Sequence, residues 1–135
     1  MKSRERKTLQ KLNRFFLTDI LIEDDFEYNR FDAENNVYIT EIKNRNKHYD
    51  DILIEFDKYS YNILYANHKS KKFIYVVSSG ANIYVFNITE LVRANHNFNW
   101  EWRDMPKQTE FSKTEKTKKF VGYINVNFAS KIIPK

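Results

Sequence analysis

Residues 73–78 read Phe-Ile-Tyr-Val-Val-Ser, an apolar, β-branched and aromatic run. Ser79-Gly80-Ala81-Asn82 and a second such run, Ile83 to Ile88, follow directly. Two runs of this kind across a glycine turn predict an antiparallel hairpin, and the near-continuous apolarity of the first predicts a buried strand. Such a strand belongs inside a sheet that other layers cover, so the hairpin points to a layered fold.

The rest of the chain supplies those layers. Leu9, Leu12 and Phe16, with Phe15 beside them, form an apolar stripe that predicts a helix over residues 4–17. Residues 19–23 read as a short strand. Residues 25–31 and 36–45 read as the arms of a hairpin joined by Asp32-Ala-Glu-Asn-Asn36. From Asp50 to Lys69 the pattern turns helical, with Leu53, Phe56, Ile63 and Leu64 on one face and an opening that could be extended. Thr89 is placed to cap a short helix through Ala94. Residues 95–117 read as polar and irregular, residues 119–128 as a last strand, and Ile132-Ile133-Pro134 as a trailing end. The expected order is α-β-β-β-α-β-β-(α)-β around a central mixed sheet, an α/β or α+β layered fold. At 135 residues it is one domain, spanning 1–135.

Charge narrows the partners. The formal net charge is +5, with Lys and Arg concentrated in the first 14 residues and in 107–119, and acids in 19–34. A basic surface around an acidic patch suits a polyanion and makes DNA the expected partner. There is no cysteine, which excludes disulfides, thiolate zinc sites and a cysteine nucleophile and agrees with a reducing compartment. No apolar stretch approaches the roughly 18 residues of a membrane span, and the N-terminus lacks a secretory run. A cytoplasmic protein with no membrane partner is expected, either cellular or from a phage or mobile element acting in its host.

The candidate chemistry sits in Glu41-Ile42-Lys43. In a strand, residues two apart share a face, so Glu41 and Lys43 project side by side. A loop centred near residue 34 would set Glu41 opposite Glu27 and Lys43 opposite Asp25, converging Asp25, Glu41 and Lys43 on one face. Asp25 and Glu41, with the Ile42 carbonyl between, make an all-oxygen site suited to Mg²⁺ or Mn²⁺. Lys43 is placed to orient a water or to stabilise charge on a phosphate. Arg45, one step further along the same face, is positioned for an adjacent phosphate, and Lys47 adds positive charge beyond it. The bland alternative is a cross-strand ion pair on a wet sheet face. Glu5-Arg6-Lys7 spells the same triplet, but on a helix its outer residues diverge.

Asp25, then Glu41-Ile42-Lys43 sixteen residues later, then a helix, resembles the PD-(D/E)XK nuclease superfamily of restriction endonucleases and Holliday-junction resolvases. The resemblance covers residues 5 to 90 in element order. It implies a restriction-endonuclease-like core and metal-dependent hydrolysis of phosphodiester bonds in DNA. Asp25, Glu41 and Lys43 would be catalytic, and Lys58 of the following helix would be a further site lysine. The proline that usually precedes the aspartate is Asp24 here, so either Asp24 or Asp25 could hold the position. The first-helix acid of the family has Glu5 as its only counterpart, which looks too early. Enzymes of this type often work as two sites on two strands, so a homodimer is compatible, although no dimer signature is visible. A nuclease-fold DNA-binding or structural module without activity is the alternative.

Other features point away from other chemistries. His48, His68 and His96 are scattered, which argues against a zinc site or a histidine triad. There is no glycine-rich phosphate loop. Trp100 and Trp102 are expected in core or edge packing, with base stacking as the alternative.

Overall fold

The computed structural model describes residues 1–14, 21–24, 30–106 and 116–135. Its centre is a six-stranded mixed sheet. Strand β1 is Ile22–Glu23, β2 Ala33–Glu34, β3 Tyr38–Arg45, β5 Lys72–Ser79, β6 Asn82–Asn87 and β9 Lys131–Pro134, and they lie in that order across the sheet. Strands β3 and β5 are parallel, with Glu41 beside Tyr75, and every other neighbouring pair is antiparallel. A parallel pair needs a long crossover. Here it consists of β4 (Asp51–Glu55) and helix α2 (Phe56–His68). Strand β4 belongs to a second, three-stranded sheet of order β4-β8-β7, with β7 Glu101–Pro106 and β8 Lys116–Asn125. Helix α1 is Ser3–Asn13 and α3 is Ile88–Arg93.

The apolar run at 73–78 forms because both faces of the large sheet are covered. Phe73, Tyr75 and Val77 of β5 and Ile39 of β3 pack with Ala66 of α2, Ile52 and Ile54 of β4 and Ile124 of β8. Ile74 and Val76 of β5 and Ile42 of β3 pack on the other face against Leu9 and Leu12 of α1. Successive residues of β3 therefore enter opposite cores, and this sends Glu41 and Ile42 to different sides. The β5–β6 hairpin turns through Gly80, whose φ of 59° is a conformation that side chains other than glycine's rarely adopt.

Several sequence expectations are corrected. The stretch from Asp50 is a strand before it is a helix, so Leu53 lies in β4 rather than on α2. Leu64 is 69% exposed, and α2 buries Asn62 and Ala66 instead. Residues 101–106 form a strand, paired with β8 from Glu101↔Val121 to Pro106↔Lys116, and Ile132–Ile133 pair with β6. Asn87, not Thr89, caps α3, with its Oδ1 accepting from the Glu90 N–H at 3.1 Å. The Thr89 hydroxyl accepts from the Phe73 N–H at 2.9 Å and ties α3 to β5. Both tryptophans pack as expected: Trp100 stacks between Phe98 and Phe120, and Trp102, 68% exposed on the edge strand β7, lies against Phe120.

The register before β3 is also corrected. Ala33 pairs with Thr40 and Glu34 with Ile39, because Asn35 makes the turn: its Oδ1 accepts from the Val37 and Tyr38 N–H groups at 2.9 and 2.7 Å. The turn centre lies beyond residue 34, which brings Asp32 to the Thr40–Ile42 stretch of β3.

Candidate functional site

Strand β2 is short, and among the described residues no strand pairs with β3 beyond it. Asp32 stands there. Its N–H donates to the Thr40 carbonyl at 2.7 Å while its neighbour Ala33 is paired with the same Thr40. Two residues opposite one is a β-bulge, a device that ends pairing and re-aims a side chain. The Asp32 carbonyl accepts from the Asp24 N–H at 2.9 Å, and Asp32 Oδ2 accepts from the Ile42 N–H at 2.7 Å. Thr40 and Ile42 thus turn their backbone groups toward Asp32. A strand residue points its N–H and C=O to the same neighbour, so the Ile42 carbonyl opens on this edge too.

Glu41 lies on the α2 side, 3% exposed. Its Oε1 is 3.4 Å from Lys58 Nζ and 3.6 Å from Lys43 Nζ. These are long contacts, closer to loose ion pairs than to short charge-assisted hydrogen bonds. Burial first, and the Asp32 charge second, push the Glu41 carboxyl up from 4.5 to about 7, against the pull of Lys58 and Lys43. Asp32 is also raised, by burial, although the Ile42 N–H and both lysines favour its charged form. Glu5 of α1 is raised by burial and then by Asp32, while its hydrogen bond from the Lys2 backbone and the charge of Lys43 pull the other way. For Glu55, at the end of β4, burial is outweighed by the Lys119 ammonium 2.6 Å away, with Lys43 and Lys58 adding to the pull, and its carboxyl is held low.

The structure therefore brings Glu41, Lys43 and Lys58 together, as the sequence expected. Glu5, set aside as too early, is close enough for Asp32 and Lys43 to act on it. Asp25, the expected aspartate, lies outside the described residues, and so does its expected pairing with Lys43. Asp24 is joined to Asp32 through its amide, and Asp32 is the carboxylate whose charge bears on Glu41. Sequence reasoning passed over Asp32 because it read as part of a turn. The available signal was Asn35: a turn placed there brings position 32 to the Thr40–Ile42 stretch, next to Glu41.

Arg45 and Lys47 are not beside Glu41. They border a cavity of about 810 Å³ beyond the end of β3, together with Asp50, Tyr49 and Arg103. In the same region His48 lies 2.8 Å from Ser79 Oγ through Nδ1 and 3.0 Å from Asp50 Oδ1 through Nε2. These are the residue types of a nucleophilic relay, but Ser79 is 0% exposed and cannot meet a substrate. The trio is a strut that ties the β3–β4 connection to the β5–β6 hairpin.

Among the described residues, no three Asp, Glu, His or Cys side chains are grouped so as to hold a metal ion. The available donors are Asp32, Glu41 and the Ile42 carbonyl. Both carboxyls are raised, each chiefly by burial, and Asp32 further raises Glu41. That all-oxygen set fits a hard divalent cation that keeps several waters, as Mg²⁺ does. Comparison with protein-family models, with curated proteins and with solved structures returns no match.

Proposed function

We propose that this protein is a metal-dependent nuclease of PD-(D/E)XK type that hydrolyses phosphodiester bonds in DNA. Asp32, rather than Asp25, would be the partner of Glu41, and Lys43 and Lys58 would complete the site. One observation carries the reading: a buried Glu41 carboxyl lies within reach of the Asp32 charge, and the ammonium groups of Lys43 and Lys58 both approach its Oε1. The element order supports it, with a helix, an antiparallel β1-β2-β3 unit, a crossover helix and a strand parallel to β3.

A Mg²⁺ or Mn²⁺ ion held by Asp32, Glu41 and the Ile42 carbonyl would supply positive charge to the phosphate and acidify a water. The chain's own groups do the rest. The bulge fixes Asp32 through three backbone hydrogen bonds, so its carboxylate is oriented before any ligand arrives. Lys58 and Lys43 favour the ionised form of Glu41, which burial opposes. Lys43 is about a quarter exposed and faces solvent beside Glu41, where its ammonium stabilises charge developing on a phosphate oxygen.

Cleavage of supercoiled and branched DNA with Mg²⁺ or Mn²⁺ tests the proposal. Asp32→Ala, Glu41→Ala and Lys43→Ala should each abolish cutting while DNA binding persists. Variants that cut as well as the parent would remove the assignment. A second reading, an inactive DNA-binding module on the same fold, is favoured by the two lysines that already compensate Glu41. It is supported if the parent binds DNA, takes up no Mg²⁺ or Mn²⁺ at millimolar concentration and does not cut.

A further inference from the structure

The cavity beyond the end of β3 lies where the chain leaves the large sheet for the second one. Both sheets wall it: Arg45 comes from β3, Leu53 from β4, Arg103 from β7 and Tyr123 from β8. Arg45 and Ser79, the last residues of the parallel strands β3 and β5, both line it. In open sheets with parallel strands, ligands settle in crevices outside the carboxyl ends of those strands. At about 810 Å³ the cavity exceeds what a lone ion needs and matches small organic ligands.

Two arginines are held in it by phenols. The buried Tyr75 hydroxyl donates to the Leu53 carbonyl at 3.0 Å and accepts a hydrogen bond from the Arg45 side chain. Arg103 Nη1 donates to the Tyr123 hydroxyl at 3.2 Å, and that hydroxyl donates in turn to Glu101 Oε1 at 2.6 Å. Each guanidinium is thus oriented and keeps other N–H groups to spare. Arg45 is half-buried and Arg103 exposed, so a ligand can reach both. Among the described residues neither is in an ion pair, whereas Arg6, Arg30 and Arg93 are. The aspartates of the lining are placed otherwise. Asp50 Oδ1 is 3.0 Å from His48 Nε2, Asp51 Oδ1 accepts from Asn125 Nδ2 at 3.0 Å, and Asp104 is exposed.

A second, independent sign is aromatic. Tyr49 and Phe128 both line the cavity, and they are 58% and 53% exposed. Both rings are supported from behind or beside. Tyr49 sits between His48 and Asp50, which the strut anchors, and Lys47 Nζ stands 5.4 Å from its centroid. The His96 ring meets Phe128 edge-on at 4.8 Å. Oriented, unpaired guanidiniums match a phosphate, and open aromatic rings match a planar base. A nucleotide carries both on one molecule.

We infer that this cavity binds a nucleotide, with Arg45 and Arg103 on its phosphate and Tyr49 and Phe128 against its base. The favoured source is a nucleotide within a nucleic-acid strand. Arg45 follows Glu41 and Lys43 on the same side of β3, roughly 13 Å along the strand from Glu41. A nucleic acid with one phosphate at Glu41 would therefore bring a neighbouring nucleotide to the cavity. Only that choice of source rests on the proposed nuclease reading; the site itself does not.

The test uses the full chain as Glu41→Gln, so that DNA is bound and not cut. On titration with deoxyadenosine monophosphate, NMR should show the Arg45 and Arg103 Nε–H signals and the Tyr49 and Phe128 ring signals shifting together. Inorganic phosphate should shift the arginines alone. Adding Tyr49→Ala and Phe128→Ala, which alter only exposed rings, should weaken the nucleotide about tenfold by calorimetry, as the loss of a base stack does. Adding Arg45→Gln and Arg103→Gln should remove binding of both ligands. A short single-stranded oligodeoxyadenylate should displace the mononucleotide. Mononucleotide binding that the oligonucleotide leaves untouched keeps the site and assigns it to a free nucleotide. No ring shift with either nucleotide ligand overturns the site, whether or not the parent cuts DNA. A parent that cuts nothing, with mononucleotide binding intact, instead removes the nuclease reading and leaves the site standing.

Discussion

The buried Glu41 carboxyl should leave a signature in how stability changes with pH. Its folded-state value of about 7 lies above the 4.5 of an exposed glutamate. Between those values the folded chain holds a proton that the unfolded chain has released, so stability falls as pH rises. The contribution is fully present below pH 4.5 and is lost as pH climbs through 7. Each unit of displacement corresponds to about 1.4 kcal/mol, so the whole displacement comes to about 3 kcal/mol. With Glu41 only 3% exposed, little solvent screening reduces that figure. Glu41→Gln has the same shape and cannot ionise. Urea unfolding from pH 5 to 8.5 covers most of that displacement, so the parent should lose about 2.5 kcal/mol more than Glu41→Gln. The variant keeps a shallower decline from Asp32 and Glu5, whose carboxyls are displaced in the same direction. Adding Mg²⁺ at pH 8 should restore stability to the parent alone, by about 2.7 kcal/mol at a hundred times the dissociation constant. Equal pH slopes for the two proteins would refute the reasoning, because the buried charge would then not be where the stability is lost.

Two further outcomes follow from the packing. Lys58→Met removes a positive charge that favours ionised Glu41, so an NMR titration of the Glu41 carboxyl should give a midpoint above the present value; an unchanged or lower one would contradict the ion pair. Gly122→Ala puts a methyl group 2.8 Å from the Trp100 ring and 2.9 Å from Phe98 Cβ, inside the aromatic packing behind β8. It should cost about 1–3 kcal/mol in urea unfolding, and a loss below about 0.5 kcal/mol would mean that those rings move aside freely.

Local pattern made much of the fold legible in the sequence. The β5–β6 hairpin and α1 are periodic, and periodicity survives folding because both faces of the sheet are buried. Glu41 and Lys43 were legible for the same reason, since strand parity fixes their common side. Lys58 was legible only through the resemblance, which needs a helix after the strand. What escaped depended on contacts between distant segments. Trp102 is exposed, so β7 has no apolar alternation, and its pairing with β8 makes it a strand. The shift from strand to helix at Glu55–Phe56 is set by pairing with residues 121–125. Asp32 was hidden by one turn: Asn35 closes the hairpin with its own side chain, and placing the turn earlier in the chain kept Asp32 out of the strand pairing.

The joining of β4 to β8 has a consequence in time. Strand β4 leads into the helix that carries Lys58, yet its pairing partner is up to 74 residues away, at Asn125. During synthesis Glu41, Lys43 and Lys58 all exist long before β8 does. Until residues 116–125 arrive, β4 lacks its neighbour, Glu55 lacks Lys119, and the cover over Glu41 is incomplete. Closing so long a loop is slow relative to local pairing. A nascent chain therefore carries every proposed reactive group before β8 exists, and the enclosure of Glu41 waits for that distant strand.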